Sequence, residues 1–420
     1  MRVAVVIADS NSACPVPAVK GGAVASLVDH LVKENSLSGK CDFTVFTYYD
    51  PKAEELSKKY KKVKFVWIKI PRLINALDAC VFGLITRVLK KTKAISFKHV
   101  FSLLYYILLV SIKLKKNDYD KVILENNIMI SWVLRLNRNS KKYAGKYYYH
   151  LHNIPRINGR NKKIFAGVKK YLCVSEYLSK CIQCETNPIG PVPKESIRVV
   201  KNCIDTDLFN NENLTVAELK EIRLEYGIEE NENVIVFAGR ISKEKGIDYV
   251  IESLEYLIDL RIKLIIVGNT LATGNINDDF SIKIQQLAKK YKNNIIFTGF
   301  VSQEKISRIY QMADFAVLPS IWEEPAGLTM IEAMACETLV ITTRSGGIPE
   351  YTNNYSSIIL DRDDQLSIKI AETIRYYIKN EKKAKKIAEE GRRYVQENFS
   401  MKNYLNNFLD VLEDDRNENS

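Results

Sequence analysis

The sequence is poor in the residues that build disulfide frameworks and metal clusters. Its 420 residues include only 8 cysteines and 4 histidines. Cysteine this sparse excludes a disulfide scaffold, and the single C-x-x-C pair, Cys181 and Cys184, has no second pair with which to hold zinc. We therefore interpret the cysteines as thiols in a reducing compartment.

Long hydrophobic runs are also missing. The longest, residues 100–112, is thirteen residues long, whereas a membrane-spanning helix needs about twenty. The N-terminal run, residues 3–8, has six residues, fewer than the roughly seven to fifteen of a signal-peptide core. The sequence predicts a cytoplasmic protein without a transmembrane helix.

Glycine-rich nucleotide fingerprints of the G-x-G-x-x-G and P-loop types do not occur, and no nucleic-acid-binding motif is present. The net charge of +12 is uneven: residues 1–200 hold 35 Lys and Arg against 14 Asp and Glu, and residues 201–420 hold 27 against 36. The basic front half indicates a phosphorylated ligand or an acidic membrane surface as partner, rather than nucleic acid. The alternative is charge that only keeps the protein soluble.

Short β-rich runs alternate with amphipathic helical patterns, which is typical of parallel sheets covered on both faces. About thirteen strands are too many for one ordinary open sheet, so we predict an α/β fold with two doubly wound domains. The proline-dense residues 188–193 and the change of charge sign place the boundary near residue 200. The predicted strands are residues 2–8, 42–47, 63–69, 121–125, 147–152, 171–175, 197–201, 233–239, 262–268, 294–299, 314–319, 338–343 and 356–360.

Residues 72–116 lack strand signals and are predicted to form two helices. Their apolar stripes are flanked by lysine and arginine, a pattern that suits a helix lying in an anionic membrane interface. The alternative is that the sheet of their own domain covers both helices.

Ligands of parallel α/β domains bind beyond the carboxyl ends of the strands, so the strand-to-helix loops are the candidate binding regions. Gly21 and Gly22 allow the backbone to approach an anion at a helix N-terminus. Arg240 and Lys245 follow the strand at residues 233–239 and either converge on a phosphate or are simply surface cations.

A third loop, after residues 314–319, combines carboxylates with a predicted helix start. Glu324 precedes a helix that begins near Gly327, and Thr329 and Glu332 are one turn apart on that helix. Carboxylates accept hydrogen bonds from sugar hydroxyls, and the N–H groups of residues 326–328 can meet an oxygen or a phosphate. The alternative is one glutamate that complements the helix dipole and another on a solvent face.

Two motifs carry a resemblance to a known family: Gly-Arg-x4-Lys-Gly at residues 239–246 and Glu-Pro-x-Gly-Leu-x3-Glu-Ala-Met-Ala at residues 324–335. With them the sequence resembles glycosyltransferase family 4, the retaining nucleotide-sugar transferases of GT-B architecture. The resemblance implies two Rossmann-like domains facing across a cleft. An acceptor-side domain would comprise residues 1–200 with a C-terminal helix at about 400–416, and a donor-binding domain residues 201–399. Supporting matches are Gly21, Gly22, Asn202, Ile204, Asp205, Phe209, Gly299 and residues 346–350.

The resemblance also implies roles for the candidate residues. Arg240 and Lys245 would hold the donor diphosphate and stabilise it as it leaves, while Glu332 would bind the ribose and Glu324 the sugar. Two departures from the family are Ala326, where an aromatic residue is usual, and Cys203, where glycine is usual. Further implied contacts are His152 near the sugar, Thr329 at a phosphate oxygen, Gly21 and Gly22 at the diphosphate, Gly239, Gly299 and Val301 around the nucleotide, and the N–H groups of Ala326, Gly327 and Leu328.

No metal and no cofactor are predicted. Asp-x-Asp clusters are missing from suitable loops, and His150 and His152, on one side of a strand, have no further ligands in the sequence pattern. Arg240 and Lys245 would take the role that Mg²⁺ has elsewhere. The resemblance implies retaining transfer from a nucleotide sugar to a glycan or lipid-linked acceptor in surface polysaccharide biosynthesis. The expected donor is a UDP-sugar. The alternative is a non-catalytic coat or scaffold protein.

Overall fold

The computed structural model describes residues 1–8, 14–85, 98–268 and 279–413. The chain divides into two compact domains. The first comprises Met1–Cys203 and the C-terminal helix that begins at Met401, and the second comprises Ile204–Ser400.

The first domain is built on a seven-stranded sheet in which all paired strands are parallel. Its spatial order is β3-β2-β1-β4-β5-β6-β7, so the chain starts in the middle and winds outward in both directions. The strands are β1 (Arg2–Ile7), β2 (Asp42–Tyr48), β3 (Val63–Ile68), β4 (Lys121–Glu125), β5 (Tyr147–Leu151), β6 (Tyr171–Cys173) and β7 (Ile197–Val199).

Helices follow most of these strands and cover the sheet. The central strands β1, β4 and β5 are almost wholly buried, which explains why their sequences are continuous apolar runs rather than alternating ones. The helices of this domain are α1 (Ala23–Ser38), α2 (Pro51–Ser57), α3 (Arg72–Gly83), α4 (Val100–Lys116), α5 (Trp132–Arg135), α6 (Asn139–Lys142), α7 (Lys162–Ala166), α8 (Glu176–Gln183) and the C-terminal α17 (Met401–Glu413).

The second domain repeats this plan with a six-stranded parallel sheet of order β10-β9-β8-β11-β12-β13. Its strands are β8 (Asn233–Ala238), β9 (Ile262–Val267), β10 (Ile295–Gly299), β11 (Phe315–Leu318), β12 (Leu339–Thr343) and β13 (Ile358–Leu360). Its helices are α9 (Val216–Glu225), α10 (Ile247–Ser253), α11 (Asp279–Lys290), α12 (Gln303–Met312), α13 (Leu328–Ala335), α14 (Ile348–Tyr351), α15 (Leu366–Lys379) and α16 (Glu381–Asn398).

All thirteen predicted strands are present, and the helical segment between β8 and β9 is interrupted near its start. A 3₁₀ turn at Lys243–Lys245 comes first, and α10 begins only after Gly246. Gly246 has a φ of 66°, and a Cβ there would lie 2.2 Å from the carbonyl oxygen of Pro319. The chain therefore turns sharply at this glycine, and the turn brings Lys245 against the end of β11.

The segment at residues 72–116 contains the two predicted helices, α3 and α4, and residues 86–97 between them lie outside the described residues. Asp78 of α3 accepts hydrogen bonds from the backbone N–H groups of Phe101 and Ser102, so the two helices are joined at the start of α4. Tyr106 anchors α4 by donating to the carbonyls of Ile7 and Phe46 at 2.9 and 2.7 Å. Within the described residues, no helix has both the length and the hydropathy needed to cross a bilayer.

Candidate functional site

Three glycines form a bare backbone floor at the carboxyl ends of β8, β9 and β10. The N–H of Gly268 donates to the carbonyl of Gly299 at 2.9 Å, and that of Gly239 donates to the carbonyl of Val267 at 3.0 Å. A Cβ on Gly268 would lie 1.9 Å from the carbonyl oxygen of Gly239, so a side chain cannot fit between these strand ends. Gly268 thus lies between the predicted Gly239 and Gly299. The sequence indicated Gly268 only as the end of a strand, not as part of the site.

A cavity of about 650 Å³ opens beside this floor. Its lining is mainly apolar and includes Ile241, Ile284 and Phe297 together with Gly268 and Gly299. Apolar walls next to exposed backbone suit a flat aromatic ring that is recognised mostly by main-chain groups.

Lys245 and Glu324 form an ion pair at the carboxyl edge of the second sheet. The side chains are 19% and 13% exposed, so the pair is largely removed from water. The loops that carry them are tied together, because the N–H of Ile321 donates to the carbonyl of Glu244 at 3.0 Å. The second oxygen of Glu324, Oε2, is buried and has no hydrogen-bond partner among the described residues, so it can accept from a ligand.

The backbone of Glu324 is held by the loop that follows β12. Gly347 donates to the Glu324 carbonyl at 2.7 Å, and a Cβ on Gly346 would lie 2.3 Å from that carbonyl oxygen. Glu323 accepts from the N–H of Gly346 at 2.6 Å and pairs with Arg362, whose hydrogen bond lowers the pKa of Glu323. Our sequence reasoning included Gly346 and Gly347 but missed Glu323 and Arg362.

Helix α13 presents Thr329 and Glu332 one turn apart. It begins after Gly327, and no side chain caps its first turn. Burial raises the pKa of Glu332 from 4.5 to about 8, so this carboxyl is largely protonated at neutral pH when no ligand is bound. Two hydroxyl groups that donate to Glu332 would favour its ionised form. The predicted Ala326, Leu328 and Val301 lie partly buried against the core of the domain.

Arg240 has a more open position than Lys245. Its side chain is 48% exposed and its guanidinium lies 3.7 Å from a carboxylate oxygen of Glu244. A contact this long between exposed groups contributes little to stability, so an arriving anion can displace it.

In the first domain, Gly21 and Gly22 lie directly before α1. Both have positive φ angles, 73° and 98°, which glycine adopts without steric cost. Helix α1 begins at Ala23 without a side-chain cap. The preceding residues 9–13 lie outside the described part of the chain, so the loop predicted to close on the diphosphate is described only from residue 14 onward.

His152, predicted to lie near the sugar, is one of three buried residues that meet at the ends of β4 and β5. Its Nε2 lies 3.0 Å from Oε2 of Glu125, and Nδ1 of His150 lies 3.1 Å from the same oxygen. Glu125 pairs in register with His150 in the sheet. The expectation that the two histidines lack further ligand-type neighbours is therefore wrong, because β4 supplies a carboxylate that is distant in sequence.

The contacts among these three residues shift the pKa values of Glu125 and His152. Burial alone would raise the pKa of Glu125, but the facing His150 and His152 outweigh burial and lower it to about 2. Burial and the neighbouring His150 lower the pKa of His152 to about 4. His152 is therefore neutral at physiological pH. Glu125, His150 and His152 each offer one possible metal ligand atom, and these atoms lie within 4.8 Å of one another. In the described part of the chain, this is the one group of three or more such residues that could hold a metal ion.

Comparison with known proteins extends these observations. Residues 219–394 match the family model of the glycosyl transferases group 1. Spore coat protein SA of Bacillus subtilis is 23% identical over 427 residues, covering 99% of this chain and 100% of that protein. Lipopolysaccharide 1,2-N-acetylglucosaminetransferase of Salmonella typhimurium is 27% identical over 239 residues, which cover 55% of this chain and 57% of that protein.

Among solved structures, Anabaena HepE in complex with UDP and glucose superposes with a TM-score of 0.72. It is 18% identical and the alignment covers 99% of this chain and 100% of that one. With the two parallel sheets of this chain, this likeness confirms the predicted GT-B fold. The match over residues 219–394 and the full-length similarity to spore coat protein SA confirm the resemblance of the chain to glycosyltransferase family 4.

Proposed function

We propose that this protein is a retaining glycosyltransferase that transfers a sugar from a UDP-sugar to a glycan or lipid-linked acceptor without a metal ion. The observation that carries the proposal is the largely buried Lys245–Glu324 ion pair beside the glycine floor. It places one cation and one free carboxylate oxygen next to backbone that a ligand can approach closely.

Diphosphate stabilisation is assigned to Lys245 and Arg240. The leaving nucleoside diphosphate gains negative charge as the glycosidic bond breaks, and a fixed cation in a partly dry site stabilises that charge most strongly in the transition state. Lys245 is held in place by Glu324, whereas Arg240 is exposed and can move onto the phosphate. Retention of anomeric configuration comes from the family resemblance.

Recognition of the sugars is assigned to the two glutamates. Glu324 has a free buried oxygen that accepts from hydroxyl groups of the donor sugar. Glu332 lies on the adjacent helix, where its carboxylate accepts from the ribose. The apolar cavity beside Gly268 and Gly299 fits a nucleobase. The UDP bound by Anabaena HepE supports uracil, and the Salmonella relative supports an acceptor belonging to a surface glycan.

The first test is a thermal-shift titration with UDP, GDP and ADP in the presence of EDTA. We expect UDP to raise the melting temperature, since a ligand at one hundred times its Kd stabilises the folded state by about 2.7 kcal/mol. The shift should disappear in Glu332→Ala. It should persist in Glu304→Ala, a control at an exposed position of α12 in the same domain. No shift with any nucleotide would contradict the proposal and favour the non-catalytic alternative.

The pH dependence of UDP binding gives a second readout of the same site. Because the pKa of Glu332 is about 8 without ligand, and hydroxyl donors bind the carboxylate, affinity should rise from pH 6.5 to 8 by at most tenfold per unit. Glu332→Gln should remove this increase and leave only the small contribution of the phosphate itself.

We further propose that the protein acts at the cytoplasmic face of an anionic membrane through α3 and α4. Leu73 and Leu77 on α3, and Leu104 and Leu108 on α4, are all exposed, Leu73 by 73%. Helix α4 ends in Lys113, Lys115 and Lys116. Exposed leucines beside lysines suit the boundary between acyl chains and acidic headgroups.

Vesicle flotation tests this membrane contact. The protein should float with vesicles rich in phosphatidylglycerol at low salt and bind less at 0.5 M salt, because exposed charges are then screened. Leu104→Ser with Leu108→Ser should reduce flotation at least fivefold. Leu224→Ser, which alters an even more exposed leucine on α9 of the other domain, should not. Equal flotation with neutral and anionic vesicles would contradict the proposal.

A further inference from the structure

We propose that Glu125 is a positioning residue that fixes His152 in the Nε2–H tautomer and thereby presents Nδ1 of His152 as an acceptor for a sugar hydroxyl. The inference rests on the proposed glycosyltransferase function for the identity of the ligand. The tautomer itself follows from the geometry of the first domain alone.

The contacts of Glu125 determine where the histidine protons lie. Its Oε2 faces Nε2 of His152 at 3.0 Å, and Nδ1 of His150 lies between the two carboxylate oxygens, 3.3 Å from Oε1 and 3.1 Å from Oε2. An ionised carboxylate can only accept hydrogen bonds, so each of these ring nitrogens must carry a hydrogen. One carboxylate therefore requires a hydrogen on Nε2 of His152 and on Nδ1 of His150, and the neutral His152 is held in its Nε2–H tautomer.

The opposite ring nitrogens are left without partners. Nδ1 of His152 and Nε2 of His150 are both buried, and neither has a hydrogen-bond partner among the described residues. The His150 ring lies against Tyr404 and Phe408 of α17, at centroid distances of 6.3 and 5.9 Å, so it faces an aromatic wall. His152 lies at the end of β5 and retains 8% exposure, which makes it the histidine that a ligand can reach.

The backbone of His152 is fixed from the same turn. Asn126, at a φ of 56°, accepts from the His152 N–H through its side-chain oxygen at 3.1 Å. Asn127 donates to the carbonyl of Ala8 at 2.9 Å and accepts from the Tyr149 hydroxyl at 2.7 Å. Glu125 therefore holds the ring of His152 and Asn126 its main chain, while Asn127 ties the same turn to Ala8 and Tyr149.

A metal ion is the competing occupant of this cluster. Histidines that bind metal usually donate their second ring N–H to a protein acceptor, which orients the ligand. Here Nε2 of His150 and Nδ1 of His152 lack such acceptors among the described residues. The other ring nitrogens, Nδ1 of His150 and Nε2 of His152, already contact Glu125. These contacts favour a hydrogen-bonded carboxylate over a metal centre.

Glu125→Gln tests the proposal with an isosteric change. The amide of glutamine offers one oxygen that accepts and one nitrogen that donates. Wherever the amide nitrogen faces a ring nitrogen, that ring must change its tautomer to accept. The variant therefore keeps the volume of the side chain, but it no longer requires a hydrogen on both Nε2 of His152 and Nδ1 of His150.

The measurement is ¹H–¹⁵N NMR of protein labelled with ¹⁵N-histidine, at pH 7 and without ligand. With only 4 histidines in the chain, single His→Gln variants assign the signals. We expect His152 protonated at Nε2 and His150 at Nδ1 in the wild type, and an altered tautomer population in Glu125→Gln. Glu195→Gln, an exposed change in the same domain, should leave both unchanged.

Two results would overturn the proposal: His152 protonated at Nδ1 in the wild type, or one equivalent of metal in tag-free protein that His150→Gln removes. The wild-type spectrum decides even if Glu125→Gln fails to fold. In a transfer assay, Glu125→Gln should lower kcat about 10–100-fold, by analogy with the loss of a partner that orients a metal-bound histidine, and should leave UDP affinity unchanged. A wild-type rate in Glu125→Gln would also refute it. The expected tautomers in a wild-type protein that shows no transfer activity would instead contradict the proposed function and leave the role of Glu125 standing.

Discussion

Replacing Lys245 with alanine is expected to lower kcat by about 10²–10³-fold, which corresponds to about 2.7–4 kcal/mol of lost transition-state stabilisation. The effect is large because the Lys245 ammonium is mostly buried and is already oriented by Glu324 before a donor arrives. A cation held in this way needs no reorganisation when negative charge develops on the leaving diphosphate.

Lys243→Ala is the matched control for this prediction. Lys243 belongs to the same 3₁₀ turn but is exposed, so its removal should change kcat less than threefold. Initial rates with saturating UDP-sugar and a fixed acceptor separate kcat from KM. If Lys245→Ala raised KM alone, Lys245 would contribute to donor binding but not to stabilisation of the leaving group, contrary to our proposal.

Gly268→Ala should destabilise the second domain by about 3 kcal/mol or more. Its Cβ would meet the carbonyl oxygen of Gly239 at 1.9 Å, and its φ of 139° is unfavourable for alanine. Relief of the clash requires β8 and β9 to move apart at the floor of the site, so UDP binding should weaken as well. Urea-induced unfolding, with and without UDP, measures both effects.

Gly227→Ala distinguishes the clash from the backbone preference. Gly227 also has a positive φ, 63°, but a Cβ there would meet no atom within 4 Å. Its substitution should cost only about 1 kcal/mol, the strain of a left-handed residue. Equal losses in the two variants would show that the contact between Gly268 and Gly239 is not tight.

Local sequence patterns were sufficient to predict the strands and the loops of the site. Each strand of a doubly covered sheet must be apolar on both faces, so it stands out as a short continuous run such as residues 234–238. The same sheets bring their strand ends to one edge, which places the loops of Lys245 and Glu324 together, while their roles at one ligand were implied by the resemblance to glycosyltransferase family 4.

Contacts that depend on register between strands could not be predicted in this way. Glu125 meets His150 because β4 and β5 pair at that position, and no local pattern reports this pairing. The support of Glu324 by Glu323 and Arg362 similarly joins loops from different strands. For α3, periodicity predicted a helix but not which face would be covered, and Leu73 remains largely exposed.

The ion pair between Lys245 and Glu324 also affects which molecules the empty site attracts. Because the two charges cancel, this pair by itself offers little net attraction to inorganic phosphate or to other small anions of the cell. A ligand that supplies both a phosphate for the lysine and hydroxyl groups for the carboxylate can replace the partners of both at once. Selectivity for a sugar joined to a diphosphate thus begins in the unliganded protein, as discrimination against ligands that carry only one of the two groups.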